Sequence, residues 1–122
     1  MEKLVTSKEV HEIEFSQTRI SLGYNMEDVD DLLDNIAESL SIYEEILSDY
    51  RELENSMSED NQTLVIDFLK NVQEELMNSK DIINERIIET KMSLGYNQDE
   101  VDSFLDECVS ALREYERRVH LL

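Results

Sequence analysis

The chain has 122 residues, enough for one modest core and too few for two. With no Pro, 2 Gly, 40% hydrophobic and 34% charged residues, its composition is that of a helical protein, since strands and their turns draw more heavily on Gly and Pro. Lys and Arg number 11 against 30 for Asp and Glu, and the resulting formal charge of -19 repels a phosphate backbone and argues against nucleic acid as a partner.

The opening segment, MEKLVTSKEV, holds no apolar stretch of signal-peptide length, and no window approaches the roughly 18 apolar residues of a spanning helix. The single Cys108 has no internal disulfide partner. A cytoplasmic protein is the expectation.

In chain order, a first helix is predicted near 6–20, broken by the SLGYN segment at 21–25. Gly23 can adopt the positive φ that ends a helix, and Asn25 is a strong N-cap, so a new helix should start at Met26. Asn25 with Asp28, and Asn97 with Glu100, resemble capping boxes. The second helix, near 26–56, carries a heptad with Val29, Ile36, Tyr43 and Tyr50 at a, Leu32, Ile46 and Leu53 at d, and Leu33, Leu40 and Leu47 at e. A stripe that wide suits a bundle better than a two-stranded coil.

The polar segment Ser56 to Gln62 is the turn-prone interruption. Beyond it Val65, Leu69, Val72, Leu76, Ile83 and Ile87 recur at helical spacing and predict a third long helix from about 61 to 91. A second SLGYN follows at 93–97, with Gly95 and Asn97 in the turn and cap roles. The last helix, near 98–121, places Val101, Cys108 and Tyr115 at a, Phe104 and Ala111 at d, and Leu105, Leu112 and Val119 at e.

These recurrences are one duplication. Residues 6–50 align without a gap on residues 78–122 at a constant offset of 72, joined by 51–77, and a third of the positions are identical, among them Ser7/Ser79, Thr18/Thr90, SLGYN, Val29/Val101, Asp30/Asp102, Leu33/Leu105, Asp34/Asp106 and Tyr43/Tyr115. The whole predicts an all-α single domain, an up-down-up-down four-helix bundle or coiled-coil hairpin of two helix-turn-helix repeats. If 56–62 is a hairpin, the third helix returns the chain to its starting end, both SLGYN turns lie side by side, and the second and fourth helices run parallel.

The stretches TSKEVHEIEFSQTRISLGYNMEDVDDLLDNI and GYNQDEVDSFLDE resemble the N-terminal domain of DivIVA, the bacterial cell-division and polar-growth scaffold. The resemblance covers both repeats, with Ile87 in the second copy where Phe15 stands in the first. It implies a parallel coiled-coil dimer whose loops meet at one tip and insert a Phe flanked by bases into membrane, here imitated within one chain. It further implies a non-enzymatic scaffold or adaptor in cell division or envelope growth, cytoplasmic or membrane-peripheral at septum or pole. This chain lacks the family's long C-terminal coiled coil and has no Phe in either tip loop.

The candidate site is the pair of tips. Residues 18–26 and 90–98 hold no acid, and each has one base with three large apolar residues: Arg19, Ile20, Leu22 and Tyr24, and Lys91, Met92, Leu94 and Tyr96. Together they would form an apolar, mildly basic cap on an acidic rod, suited to a protein partner or, as the alternative, to shallow membrane contact. Leu22, Leu94, Tyr24 and Tyr96 have a competing role in packing inward to hold the turn. The acids Glu27, Asp28, Asp30, Asp31 and Asp34, with Asp99, Glu100, Asp102 and Asp106, sit where first helical turns favour carboxylates, so they read as capping and solvated face. Neither cluster has the EF-hand arrangement, and His11 and His120 lack a Glu three residues before them, so no metal or cofactor is expected. Cys108 falls in core phase as a buried thiol, and no catalytic residue is assigned. The chain is expected to be a monomer with an internal pseudo-dimer, or a homodimer.

Overall fold

The computed structural model describes residues 3–122. Five helices and four very short strands follow one another as α1 (Ser7–Glu12), β1 (Gln17–Thr18), β2 (Gly23–Tyr24), α2 (Met26–Leu53), α3 (Glu59–Glu75), α4 (Ser79–Asn84), β3 (Glu89–Thr90), β4 (Gly95–Asn97) and α5 (Gln98–His120). A single 3-10 turn, Glu54–Ser56, follows α2.

The two long helices start as their sequences predict. The Asn25 side chain accepts the Asp28 N–H at 2.9 Å, and that of Asn97 accepts the Glu100 N–H at 3.0 Å. Acids fill both first turns and bases both last turns, matching the helix dipole. Val29, Ile36, Leu40 and Tyr43 of α2 and Val101, Cys108, Leu112 and Val119 of α5 are almost wholly removed from solvent, each such side chain contributing about 2 kcal/mol of apolar transfer. Near the far end of the stripe Leu47 is half-buried, whereas Leu53 is exposed.

The direction of α2 relative to α5 follows from two pairs of equivalent residues. Tyr24 lies opposite Tyr96 in the sheet, and the rings of Tyr43 and Tyr115 stack at 5.5 Å with 7° between their planes. Each pair joins the same position of the two repeats, separated by 19 residues or roughly 28 Å along the helices. Two helices that pair like with like at both places run parallel and in register, about a pseudo-two-fold axis.

The expected up-down-up-down bundle is not what forms. The first helix stops at Glu12, with Ile13 already extended, instead of continuing to residue 20. The predicted helix 61–91 is divided: α3 ends at Glu75, and Asn78 opens α4 with a complete capping box, Asp81 N–H to Asn78 Oδ1 and Asn78 N–H to Asp81 Oδ2, both 2.9 Å. The Met77 N–H is drawn off to Ser39 Oγ at 3.0 Å. Strong local capping thus overrides an apolar period that continues through the break.

In place of helix ends stands a four-stranded antiparallel sheet of order β1-β4-β2-β3. Every ladder joins one repeat to the other. The short helices lie against the long helices of their own repeat. In each case a glutamate at the equivalent position of the long helix caps the short one: the Ser79 N–H reaches Glu116 at 2.8 Å, and the Ser7 N–H reaches Glu44 at 3.3 Å.

Candidate functional site

The sheet is what positions the two tips. Both β1 and β2 are antiparallel to β4, so they are parallel to each other with β4 between them. The connection through Arg19–Leu22 therefore has to cross β4, and by the same logic Lys91–Leu94 crosses β2. The loops belong to one small sheet whose outer strands are about 14 Å apart. The bends of the two repeats are spatial neighbours at one end of the molecule.

Glycine is required here for space. Neither Gly23 nor Gly95 has a positive φ, contrary to the helix-ending role expected of them. A Cβ on Gly95 would lie 2.2 Å from Thr90 Oγ1 and 2.8 Å from the Tyr24 carbonyl oxygen; one on Gly23 would meet three atoms at 3.0 Å. The positive φ occurs instead at Met92, at 63°, where an L-residue is strained by about 1 kcal/mol. Its counterpart Ile20 has none, so the tips share a plan without sharing a backbone. In the first tip Thr18 Oγ1 accepts the Ser21 N–H at 3.3 Å, whereas the buried Thr90 Oγ1 has no partner.

Tyr24 and Tyr96 are half-buried and form a cross-repeat clasp. Tyr24 Oη donates to Asp102 at 2.7 Å and Tyr96 Oη to Asp30 at 2.8 Å. Burial, then the neighbouring carboxylate, pushes each phenol up to about 12 from its ordinary 10.0. The inward-holding role weighed for these tyrosines is therefore what the geometry contains.

The capping boxes expected at Asn25 and Asn97 are opened to the same end. The Asp28 carboxylate, which a closed box would turn back on Asn25, accepts the Ile88 N–H of the other repeat at 3.1 Å, and Glu100 accepts the Ser16 N–H at 3.0 Å. The freed Asn25 N–H donates to the Ile88 carbonyl at 2.7 Å and that of Asn97 to Ser16 at 2.8 Å. Sequence reasoning assigned these acids to caps and solvent. The only sequence signal for the clasps is that Asp30/Asp102 recur in both copies while position 28 exchanges Asp for Glu. Phe15 also serves the junction, packing edge-on to Tyr96 at 5.4 Å and to Phe104 at 6.0 Å.

With the tyrosines committed inward, the outward surface consists of Arg19, Ile20, Leu22, Lys91, Met92 and Leu94. Ile20 is 86% exposed and Met92 78%, while Leu22 and Leu94 are exposed at 50% and 37%. Burying Ile20 and Met92 against a partner would contribute about 2 kcal/mol each before association costs. Cys108 is fully buried, and burial pushes its thiol up to about 12. Among the described residues no three His, Cys, Asp or Glu side chains are grouped to hold a metal ion, and no helix is long and apolar enough to cross a membrane. Comparison with family models, curated proteins and solved structures gives no match to this chain.

Proposed function

We propose that the protein is a non-enzymatic scaffold or adaptor of the DivIVA-like kind, acting in bacterial cell division or envelope growth and gripping a protein partner through its paired loop tips. The observation that carries this reading is the joint exposure of Ile20, Leu22, Met92 and Leu94 beside Arg19 and Lys91, on one sheet, in a chain of formal charge -19. A monomer with both tips on one rigid support engages a two-site partner without a dimerisation step, so the second contact forms at high effective concentration. The link to division and envelope growth rests on the sequence resemblance.

The test is a pull-down from native cytoplasm with the full chain and with the Ile20→Ala/Met92→Ala double variant, after circular dichroism has established equal helicity. Loss of a specific captured protein with the variant is expected, and unchanged capture refutes the reading. Sedimentation with vesicles of neutral and anionic lipid covers membrane contact. Two bases supply roughly 2 kcal/mol of attraction to an anionic surface, against a strongly acidic body, so the chain is expected to stay in the supernatant. Co-sedimentation abolished by the double variant would move the assignment from protein to lipid.

A further inference from the structure

The two tips are one octapeptide written twice, TRISLGYN at 18–25 and TKMSLGYN at 90–97, differing only at 19/91 and 20/92, yet they do not share a conformation. In the first, Thr18 Oγ1 accepts the Ser21 N–H at 3.3 Å; in the second, Thr90 Oγ1 is buried without a partner, so the equivalent bond from Ser93 is missing. Thr18 presents its methyl to Gly23, whereas Thr90 presents its hydroxyl to Gly95. Met92 stands at a φ of 63°, and Ile20 has no positive φ.

The second tip therefore carries two costs that the first avoids, a left-handed backbone at an L-residue and an unpartnered buried hydroxyl. It gains burial in exchange: Leu94 is 37% exposed against 50% for Leu22, and Met92 78% against 86% for Ile20. The sequence also selects which tip folds back. A positive φ is a severe outlier for a residue branched at Cβ, as Ile20 is, and a milder one for the unbranched Met92. The anchors of the two loops are equivalent, Thr18 opposite Gly95 and Thr90 opposite Gly23, so the loop form seen in one tip is open to the other.

We propose that the second tip is a retracted form of the first and that a captured partner draws it out, an inference that rests on the tips being the gripping surface. In the extended form Met92 leaves the left-handed region, Thr90 turns its hydroxyl to the Ser93 N–H as Thr18 does to Ser21, and Leu94 comes out to the exposure of Leu22. A partner that covers Leu94 binds the extended form more tightly than the retracted one, and that difference in affinity is what shifts the equilibrium. Until then the free chain keeps part of its apolar grip covered.

The free chain decides whether the loop has two states. NMR relaxation dispersion at the Thr90, Met92 and Ser93 amides is expected to report a minor form of roughly 1–10%, absent at Ser21. Its shifts should match the ground state of Met92→Ile, in which β-branching disfavours the retracted form, and there the Ser93 amide should exchange with solvent as slowly as that of Ser21. Thr90→Ala removes the acceptor that the extended form needs and no bond that the retracted form has, so the dispersion should vanish with helicity unchanged. In pull-downs from native cytoplasm Thr90→Ala, which leaves all six outward residues in place, is expected to weaken capture by about fivefold, as the loss of one hydrogen bond from the bound form requires. No dispersion at the second tip, or a positive φ at position 92 persisting in Met92→Ile, would overturn the two-state loop. Capture by Thr90→Ala equal to that of the parent would overturn its coupling to the partner. A parent chain that captures nothing would refute the gripping surface, and with it the partner's role, while the dispersion measured on the free chain still decides the loop.

Discussion

Replacing Gly95 with Ala isolates the physical reason for the SLGYN motif. At a position of negative φ with free space, Gly→Ala stabilises by about 0.4–1 kcal/mol through the unfolded chain, so a merely permissive glycine predicts a gain. Here the added Cβ would sit 2.2 Å from Thr90 Oγ1, 3.3 Å from Thr90 Cβ and 2.8 Å from the Tyr24 carbonyl oxygen. The hydroxyl can rotate without losing a hydrogen bond, because it has none. The carbonyl belongs to β2, one of the two inner strands, and cannot move without shifting the ladder. Overpacking of this kind costs about 3 kcal/mol. Gly23→Ala, with three contacts at 3.0 Å, should cost about 1 kcal/mol by the same comparison. With a urea m-value of about 1.5 kcal/mol per molar, Gly95→Ala lowers the midpoint by about 2 M and Gly23→Ala by well under 1 M. Adding Thr90→Ala to Gly95→Ala removes the nearest oxygen and should restore about 1 kcal/mol, leaving the carbonyl contact in place. A Gly95→Ala protein as stable as the parent, or less affected than Gly23→Ala, would show that the sheet is not the close-packed junction described.

The Tyr24 and Tyr96 phenols hold their protons in the fold up to about 12 and release them near 10.0 when unfolded. The unfolded chain therefore binds fewer protons between those values, and stability should fall as pH rises from 10 to 12; Tyr24→Phe/Tyr96→Phe should flatten that fall in alkaline urea titrations, and an unchanged slope would exclude the clasps as its source. Met92→Gly relieves the φ of 63° and should raise thermal stability by about 0.5–1 kcal/mol, whereas Ile20→Gly, with no positive φ to relieve, should lower it; equal effects in the two tips would contradict their different backbones. Cys108 should react with an aromatic disulfide reagent only as fast as the chain opens, because the thiol is buried and held protonated; rapid labelling of the native protein would refute its core position.

The two long helices were legible in the sequence because their determinants are local: Asn25 and Asn97 cap, acids and bases flank the dipole, and Val29, Ile36 and Tyr43 repeat at helical spacing with counterparts 72 residues on. The adjacency of the tips was expected from a hairpin at 56–62 and one long returning helix; that helix is divided, and the tips are brought together instead by ladders between the repeats. What the sequence could not disclose is the sheet. Strands of two or three residues leave no alternating pattern to read, and each finds its partner in the other repeat, so only chain folding brings Tyr24 opposite Tyr96. The same distance explains the misassigned acids, since Asp28 and Glu100 fit a local cap until a backbone N–H from the other copy competes for them. Helix starts were fixed by groups three or four residues apart; whether Tyr24 faces a partner or Asp102, and whether Gly95 bends the chain or makes room for Thr90, was settled by contacts between repeats.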